Sequence, residues 1–142
     1  VFDMKTGTLI RSFFAFNTGF TGGIYVSAGD VNADGHADII VGAGQGGGPH
    51  LRVFDGANTP TMLADTFAFP ASTGGVPWTS GLRVGTTDLN LDGHADIIVG
   101  PGAGQHAKIR VLNGLTFTDL LPGGELSVFD PAFLGGVFVA GN

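Results

Sequence analysis

Two segments of this 142-residue chain decide its fold: "DVNADGHADIIVGAGQGGGPHLRV" at residues 30–53 and "DLNLDGHADIIVGPGAGQHAKIRV" at residues 88–111. They align without a gap at an offset of 58 residues, position 88 against position 30. Each begins with three aspartates, one asparagine and one glycine within nine positions. A match of this length marks an internal repeat, which predicts a repeat architecture.

The segments around the two copies repeat as well. Three families of short matches occur: "VFD" at 1–3 with 53–55 and "VLN" at 111–113; "FFAF" at 13–16 with "TFAF" at 66–69; and "FTGGIYVSAGD" at 20–30 with "WTSGLRVGTTD" at 78–88 and "FLGGVFVAGN" at 133–142. The last match puts Asn142 where a third acidic loop would begin. We therefore expect the chain to be an excerpt or a processed piece that stops within a repeat.

Within one repeat the pattern favours strands. The runs "GGIYVSAG", "ADIIVGAG", "PHLRVFDG" and "LADTFAFP" are short, β-branched or aromatic, and bounded by Gly, Pro, Asn or Asp. Four strands in about 50 to 60 residues is the size of a β-propeller blade. No stretch has helical apolar periodicity. The sequence thus predicts an all-β fold of four-stranded antiparallel, propeller-type blades.

We interpret residues 1–142 as one repeat module with about two complete blades and a partial blade at each end. The predicted boundaries are 1–21 for the end of one blade, 22–75 and 76–130 for the blades with the first and second acidic loops, and 131–142 for the first strand of the next. Propellers close with typically 4 to 8 blades. Neighbouring repeats or identical chains are therefore expected to complete the open blades.

Composition excludes several classes of function. The chain has 6 Lys plus Arg against 12 Asp plus Glu, a net charge of −6, and no basic cluster for nucleic acid. It has no cysteine for disulfides or thiolate metal sites. No apolar run approaches the roughly 18 residues of a membrane span, and nothing near Val1 resembles a signal peptide. Six of the twelve acidic residues lie in the two loops, which indicates a cation as partner.

The acidic loops have the composition of calcium sites. Alternate residues can direct oxygens to one centre, and a glycine at position 6 permits the turn that brings in the carbonyl of position 7. Oxygen ligands without thiolate favour Ca²⁺ over Mg²⁺ or Mn²⁺. We predict two Ca²⁺ ions, one held by Asp30, Asn32, Asp34, the carbonyl of His36 and Asp38, and the other by Asp88, Asn90, Asp92, the carbonyl of His94 and Asp96.

Two other interpretations of the loops are weaker. An EF-hand needs a glutamate at position 12 and flanking helices, whereas Val41 and Val99 stand there, within strand-like runs. An ordinary hairpin turn would also use Asp, Asn and Gly. The same ligand types recur at the same spacing while the residues between them vary, and three carboxylates so close together would repel without a cation.

At these residues the chain resembles the FG-GAP or VCBS repeats of integrin-α-like β-propellers. The matching residues are "DVNADGHAD" and "DLNLDGHAD", followed by "IIVGAG" and "IIVGPGAG". The resemblance covers essentially the whole chain, and the Gly-rich "GAGQGGGPH" favours the broader bacterial type of this repeat. It implies a calcium-binding loop between the first two strands of each blade, in a secreted or cell-surface protein that adheres, assembles or presents ligand surfaces.

The remaining motifs do not predict an enzyme. The run from Gly42 to Gly48 precedes a strand-like segment, whereas a phosphate-binding loop would open a helix. No zinc-binding histidine spacing and no G-x-S-x-G elbow occurs. A glycosidase pair among the loop carboxylates is disfavoured because whole active sites are rarely duplicated. We therefore expect no catalysis.

The aromatic residues Phe20, Trp78 and Phe133 stand at the same repeat position. Packing between blades is the simpler explanation, and a sugar-stacking role is the alternative, with Trp78 as the candidate ligand-binding residue. The function expected is thus a calcium-binding propeller module with an adhesive or assembly role. The alternatives are a carbohydrate-binding lectin-like propeller, and a ring- or filament-forming subunit joined through open blade edges, with a glycan or protein as possible ligand.

Overall fold

The computed structural model describes residues 1–57, 61–70, 72–73 and 76–141. These residues form β-strands, turns and irregular segments, and no helix. Accordingly, the described part of the chain contains no helix of the length and hydropathy needed to cross a membrane.

Two four-stranded antiparallel sheets make up the fold. The first contains β1 (Ile24–Gly29), β2 (Asp38–Ala43), β3 (His50–Phe54) and β4 (Met62–Phe67), in that order. A short hairpin of β5 (Ser72–Thr73) and β6 (Val76–Pro77) follows. The second contains β7 (Leu82–Thr87), β8 (Asp96–Pro101), β9 (Lys108–Leu112) and β10 (Leu126–Ser127), again with sequence neighbours paired. The prediction of an all-β fold with four-stranded antiparallel blades is confirmed.

Strand register places the two acidic loops identically. Gly29 pairs with Asp38 at the end of the β1–β2 ladder, and Thr87 pairs with Asp96 at the end of the β7–β8 ladder. Residues 30–37 and 88–95 are therefore the connections between the first two strands of each sheet. The predicted module boundaries stay a prediction, although each sheet lies within one predicted blade range.

The second sheet packs against one face of the first sheet through β7. Leu82 and Val84 on β7 are buried in a core that also contains Ile40 and Leu51 from the first sheet. Gly42 is needed for this approach, because a Cβ atom there would lie 2.2 Å from the carbonyl oxygen of Leu82. The opposite face of the first sheet packs against the segment 13–16 through Val41.

The predicted first strand of a next blade is not assigned as a strand in the described residues 131–141. Strand assignment needs a hydrogen-bonded ladder, and among the described segments none pairs with this one. The segment still packs on the second sheet: the amide of Val137 donates to the carbonyl of Pro101 over 2.9 Å, and a Cβ at Gly100 would lie 3.3 Å from Val139. The expectation for Asn142 lies outside the described residues.

Candidate metal-binding loops

Both acidic loops adopt the same backbone conformation. The glycine at position 6 has a φ of 86° in each loop, at Gly35 and at Gly93. The residue at position 4 is also left-handed, with φ of 56° at Ala33 and 58° at Leu91. Non-glycine residues rarely adopt this conformation, and such strain persists where the surroundings over-determine it. The loops therefore hold a fixed shape.

The side chains at positions 1 and 3 accept hydrogen bonds from the same backbone amide. In the first loop the amide of Asp34 donates to Asp30 Oδ1 over 3.1 Å and to Asn32 Oδ1 over 3.0 Å. Asp30 Oδ2 also accepts the amide of Gly35 over 2.8 Å. The second loop repeats all three bonds, from Asp92 to Asp88 and Asn90 and from Gly93 to Asp88. Two oxygens that share a donor lie side by side.

The carboxylate at position 5 joins this group. Asp34 accepts the amide of His36 over 2.8 Å and the side-chain amide of Asn32 over 3.2 Å. Asp92 makes the same two bonds and also accepts Asn113 Nδ2 over 3.3 Å. The backbone amide of His94, followed by Asn90, holds the pKa of Asp92 below its ordinary value. This exposed carboxylate is therefore charged at neutral pH.

The carboxylate at position 9 has a different environment. Asp38 is fully buried, and its two oxygens accept the amides of Val31 over 2.9 Å and Gly56 over 2.8 Å. Asp96 is equally buried and bonds the amides of Leu89 over 2.9 Å and Gly114 over 3.1 Å. Each carboxylate thus ties the start of its loop to the turn that follows the third strand of its sheet.

The histidines at position 7 differ between the loops. His36 is exposed, whereas the ring of His94 is half-buried and its Nδ1 lies 3.1 Å from the carbonyl oxygen of Val31. The predicted ligand at this position is the backbone carbonyl in both loops, so the ring environments do not bear on it.

Each loop therefore brings together the side chains of positions 1, 3 and 5 and directs that of position 9 onto backbone amides. Among the described residues, no three His, Asp or Glu side chains form a group that could hold a metal. The set that does converge contains two carboxylates and one amide, which are exposed or half-buried. Their oxygens are donors of the kind that suits a hard cation. The chemistry of this donor set fits Ca²⁺.

The two loops also contact each other, which the sequence did not indicate. The amide of Ala95 donates to the carbonyl of Asp30 over 2.8 Å. Val31 is 1% exposed, and a Cβ placed on Gly114 would lie 3.2 Å from its Cβ. Val31 is one of the positions that vary between the two copies, since the exposed Leu89 stands there in the second.

Asn113 is a further residue that sequence reasoning missed at the second loop. Its Oδ1 accepts the amides of Leu115 and Thr116, which leaves Nδ2 to reach Asp92. A signal was available, since Asn113 ends the "VLN" that repeats the "VFD" ending at Asp55. Both residues are buried where the third strand leaves the sheet.

Trp78, the candidate for sugar stacking, lies within the core. It is 7% exposed, its ring stacks on Phe69 at a centroid distance of 4.8 Å, and its Nε1 donates to the carbonyl of Gly81 over 3.1 Å. A sugar ring would need an exposed aromatic face, and Trp78 has none. In this structure the ring packs between the sheets, as the simpler interpretation expected.

Comparison with protein families identifies the repeat. Residues 30–99 match the family model described as an FG-GAP-like repeat, a range that begins at Asp30 and includes both acidic loops. The predicted resemblance is confirmed over these residues. No curated protein and no solved structure matches the chain significantly.

The contrast between positions 5 and 9 leads to a testable prediction. In buffer with chelator, Asp38→Ala should lower the free energy of unfolding by about 3 kcal/mol, because it leaves two buried amides without an acceptor. Asp34→Ala, at an exposed position of the same loop, should cost less than about 1 kcal/mol. Urea unfolding measures both. Equal losses would contradict the assignment of Asp38 as the residue that ties the loop to the sheet.

Proposed function

We propose that this chain, whose residues 30–99 form an FG-GAP-like repeat, is a calcium-stabilised β-blade module with a structural role in adhesion or assembly. Repeats of this type are typical of extracellular and cell-surface proteins, and we place this chain in that setting. The proposal assigns the loop carboxylates to cation binding and not to catalysis.

The observation that supports the proposal is the duplicated donor geometry. In both loops the oxygens of positions 1 and 3 lie beside each other on one amide, and the position 5 carboxylate contacts them through the asparagine. A chance turn would not reproduce these bonds at a second site. Two sets of residues would each hold one Ca²⁺: Asp30, Asn32, Asp34, the carbonyl of His36 and Asp38; and Asp88, Asn90, Asp92, the carbonyl of His94 and Asp96. Asp38 and Asp96 would bind the ion through the lone pairs that their bonds to backbone amides leave free.

The carboxylates of each loop stabilise different parts of it. Asp38 fixes the loop to the sheet by bonding Val31 and Gly56. Asp30 and Asp34 fold the exposed part by accepting the amides of Gly35 and His36. Asp30 and Asp34 carry like charges within one short turn, and repulsion between like charges costs stability. A bound Ca²⁺ would supply the positive charge that offsets this repulsion and would take up the exposed oxygens.

The position of the loops extends the effect to the junction of two blades. The first loop meets the second through Asp30, Val31, His94 and Ala95. Ordering either loop therefore orders part of the contact between the sheets. Extracellular modules bind Ca²⁺ with dissociation constants of about 10⁻⁴ to 10⁻³ M. We therefore expect the folded module to be more stable at extracellular calcium concentrations than at those of the cytosol.

Linkage gives the proposal its test. A ligand that binds only the folded state stabilises it by RT ln(1 + [L]/Kd). In millimolar Ca²⁺ the unmodified chain should therefore melt several degrees higher than in chelator. Asp34→Ala and Asp92→Ala should each lose a large part of this increase and change the melting temperature little in chelator. Differential scanning calorimetry of each variant in both buffers measures it.

The matched control for that experiment is Asp3→Ala. Asp3 is an acidic residue outside the loops, where it accepts the amides of Lys5 and Thr6 in a turn of its own. Its substitution should leave the calcium-dependent increase intact. If Asp34→Ala and Asp92→Ala lose the same stability with and without Ca²⁺, the residues serve only the turn.

One observation favours assembly through an open sheet face as a second candidate function. Ile24 and Val26 on β1 are 51% and 57% exposed, although their counterparts Leu82 and Val84 are 0% and 7% exposed against the first sheet. Here β7 of the second sheet packs on the face of the first sheet that contains β2. If another blade preceded the first sheet in the same way, its corresponding face would cover Ile24 and Val26. Exposed apolar faces of this kind are typical of interaction sites.

Light scattering after size-exclusion chromatography tests this candidate. The chain should associate as its concentration rises, and Val26→Asp should keep it monomeric because the new charge would be buried at the contact. Leu115→Asp is the control, since Leu115 is equally exposed but lies outside this face. A chain that stays monomeric at every concentration excludes assembly through Ile24 and Val26.

A further inference from the structure

The glycine run that follows β2 belongs to a pocket away from the acidic loops. The pocket encloses about 220 Å³ beside β2 and β3 of the first sheet. Its walls are aromatic and polar, and the side chains that matter are Phe16, Asn17, Phe20, His50 and Arg52, with Gly47 at one wall.

Gly47 forms a closely packed wall of this pocket. A Cβ atom at this position would lie 2.5 Å from the Cβ of Ala43 and 2.8 Å from Cζ of Phe20. The second repeat has Gln105 at the corresponding position, and that residue is only 8% exposed. Ala43 and Phe20 therefore pack against Gly47 more closely than a side chain at that position would allow. The second repeat, which has Gln105 there, cannot form the same wall.

Three rings form the apolar side of the pocket. Phe16 meets Phe20 edge to face at a centroid distance of 5.7 Å and lies 5.1 Å from the ring of His50. The counterparts in the second repeat are Phe69 and Trp78, which are both buried. Phe16 and Phe20 are only partly buried. Arg52 lies over one face of Phe16 at 5.0 Å from the ring centroid, and the remaining ring surface is open to a ligand with an apolar face.

The polar groups of the pocket are held in place by Asp65. This carboxylate bonds His50 Nε2 and pairs with Arg52 over 3.0 Å. The hydrogen bond with His50 is the main reason why the pKa of Asp65 lies below its ordinary value. Arg52 also donates to the carbonyl of Ala15 over 2.8 Å. The pocket therefore presents a fixed polar edge beside the rings.

Some of these polar atoms remain available to a ligand. Arg52 Nε is buried and has no hydrogen-bond partner among the described residues, and a buried donor without an acceptor is costly. Asn17 Oδ1 accepts the amide of Gly19 over 2.8 Å, which leaves the Nδ2 donor of this exposed side chain for other contacts. An entering molecule with hydroxyl or carbonyl oxygens would satisfy both donors.

From this arrangement we propose that the pocket binds the ring of a neutral pyranose. The charges of Arg52 and Asp65 offset each other, so an anion or a cation gains little there. A purely apolar ligand would leave Arg52 Nε unsatisfied. A pyranose has one face of C–H groups to lie on Phe16 and Phe20 and a rim of hydroxyls to reach Asn17 and Arg52, and one sugar ring matches the small volume.

Saturation-transfer NMR with methyl glycosides of glucose, galactose, mannose, fucose and N-acetylglucosamine tests the site on the whole chain. At least one glycoside should bind saturably, with the strongest transfer to the C–H protons of one ring face. Phe20→Ala should weaken this binding about tenfold through the lost stacking. Gly47→Gln, which installs the side chain of the second repeat, should abolish it.

Two further variants keep the test independent of folding defects. Asn17→Ala changes an exposed side chain and should weaken binding several-fold while the melting temperature stays unchanged. Phe133→Ala removes the exposed aromatic residue at the corresponding position of the third repeat copy, outside the pocket, and should bind as the unmodified chain does. The proposal is overturned if no glycoside binds, or if binding survives both Phe20→Ala and Gly47→Gln. The outcome does not depend on whether the acidic loops bind calcium.

Discussion

The position 9 aspartate is the contact on which the rest of the loop geometry depends. Asp38 is the first residue of β2 and is fully buried. Its two carboxylate oxygens accept hydrogen bonds from backbone amides, one at the start of its loop and one after β3. A buried carboxylate is tolerated only when it is hydrogen-bonded in this way. It therefore fixes three pieces of chain at once, and the oxygens of positions 1, 3 and 5 are arranged on the frame that results. Asp96 does the same in the second repeat.

Because the loop is duplicated, the two copies also form a contact between the two sheets. The first sheet receives β7 on one face, and Gly42 lets the backbone of Leu82 approach. The loops lie side by side at the same end of the two sheets, where Val31 is buried at their junction. Stabilising one loop thus supports a contact between blades and not an isolated turn. This is the physical reason to assign a structural role to the loops and to seek ligand contacts elsewhere on the blade.

Much of this could be predicted from the sequence, because repeats and donor spacing are visible in one dimension. The 24-residue match located the acidic loops, and the short β-branched or aromatic runs located β1 to β4 of the first sheet. The role of Asp38 could not be predicted, since spacing does not tell whether a carboxylate faces a cation or a backbone amide. The burial of Val31 and Trp78 depends on the neighbouring sheet. The pocket beside Gly47 lies where the two copies differ, whereas a comparison of repeats detects the positions that they share.

The central claim is that the duplicated loops are two calcium sites, and counting the bound ions tests it most directly. Isothermal titration of Ca²⁺ into chelator-treated chain should give two equivalents for the unmodified sequence. It should give one for Asp34→Ala and none for the variant that carries both Asp34→Ala and Asp92→Ala. No binding to the unmodified chain, or a stoichiometry that the loop substitutions leave unchanged, would contradict the account.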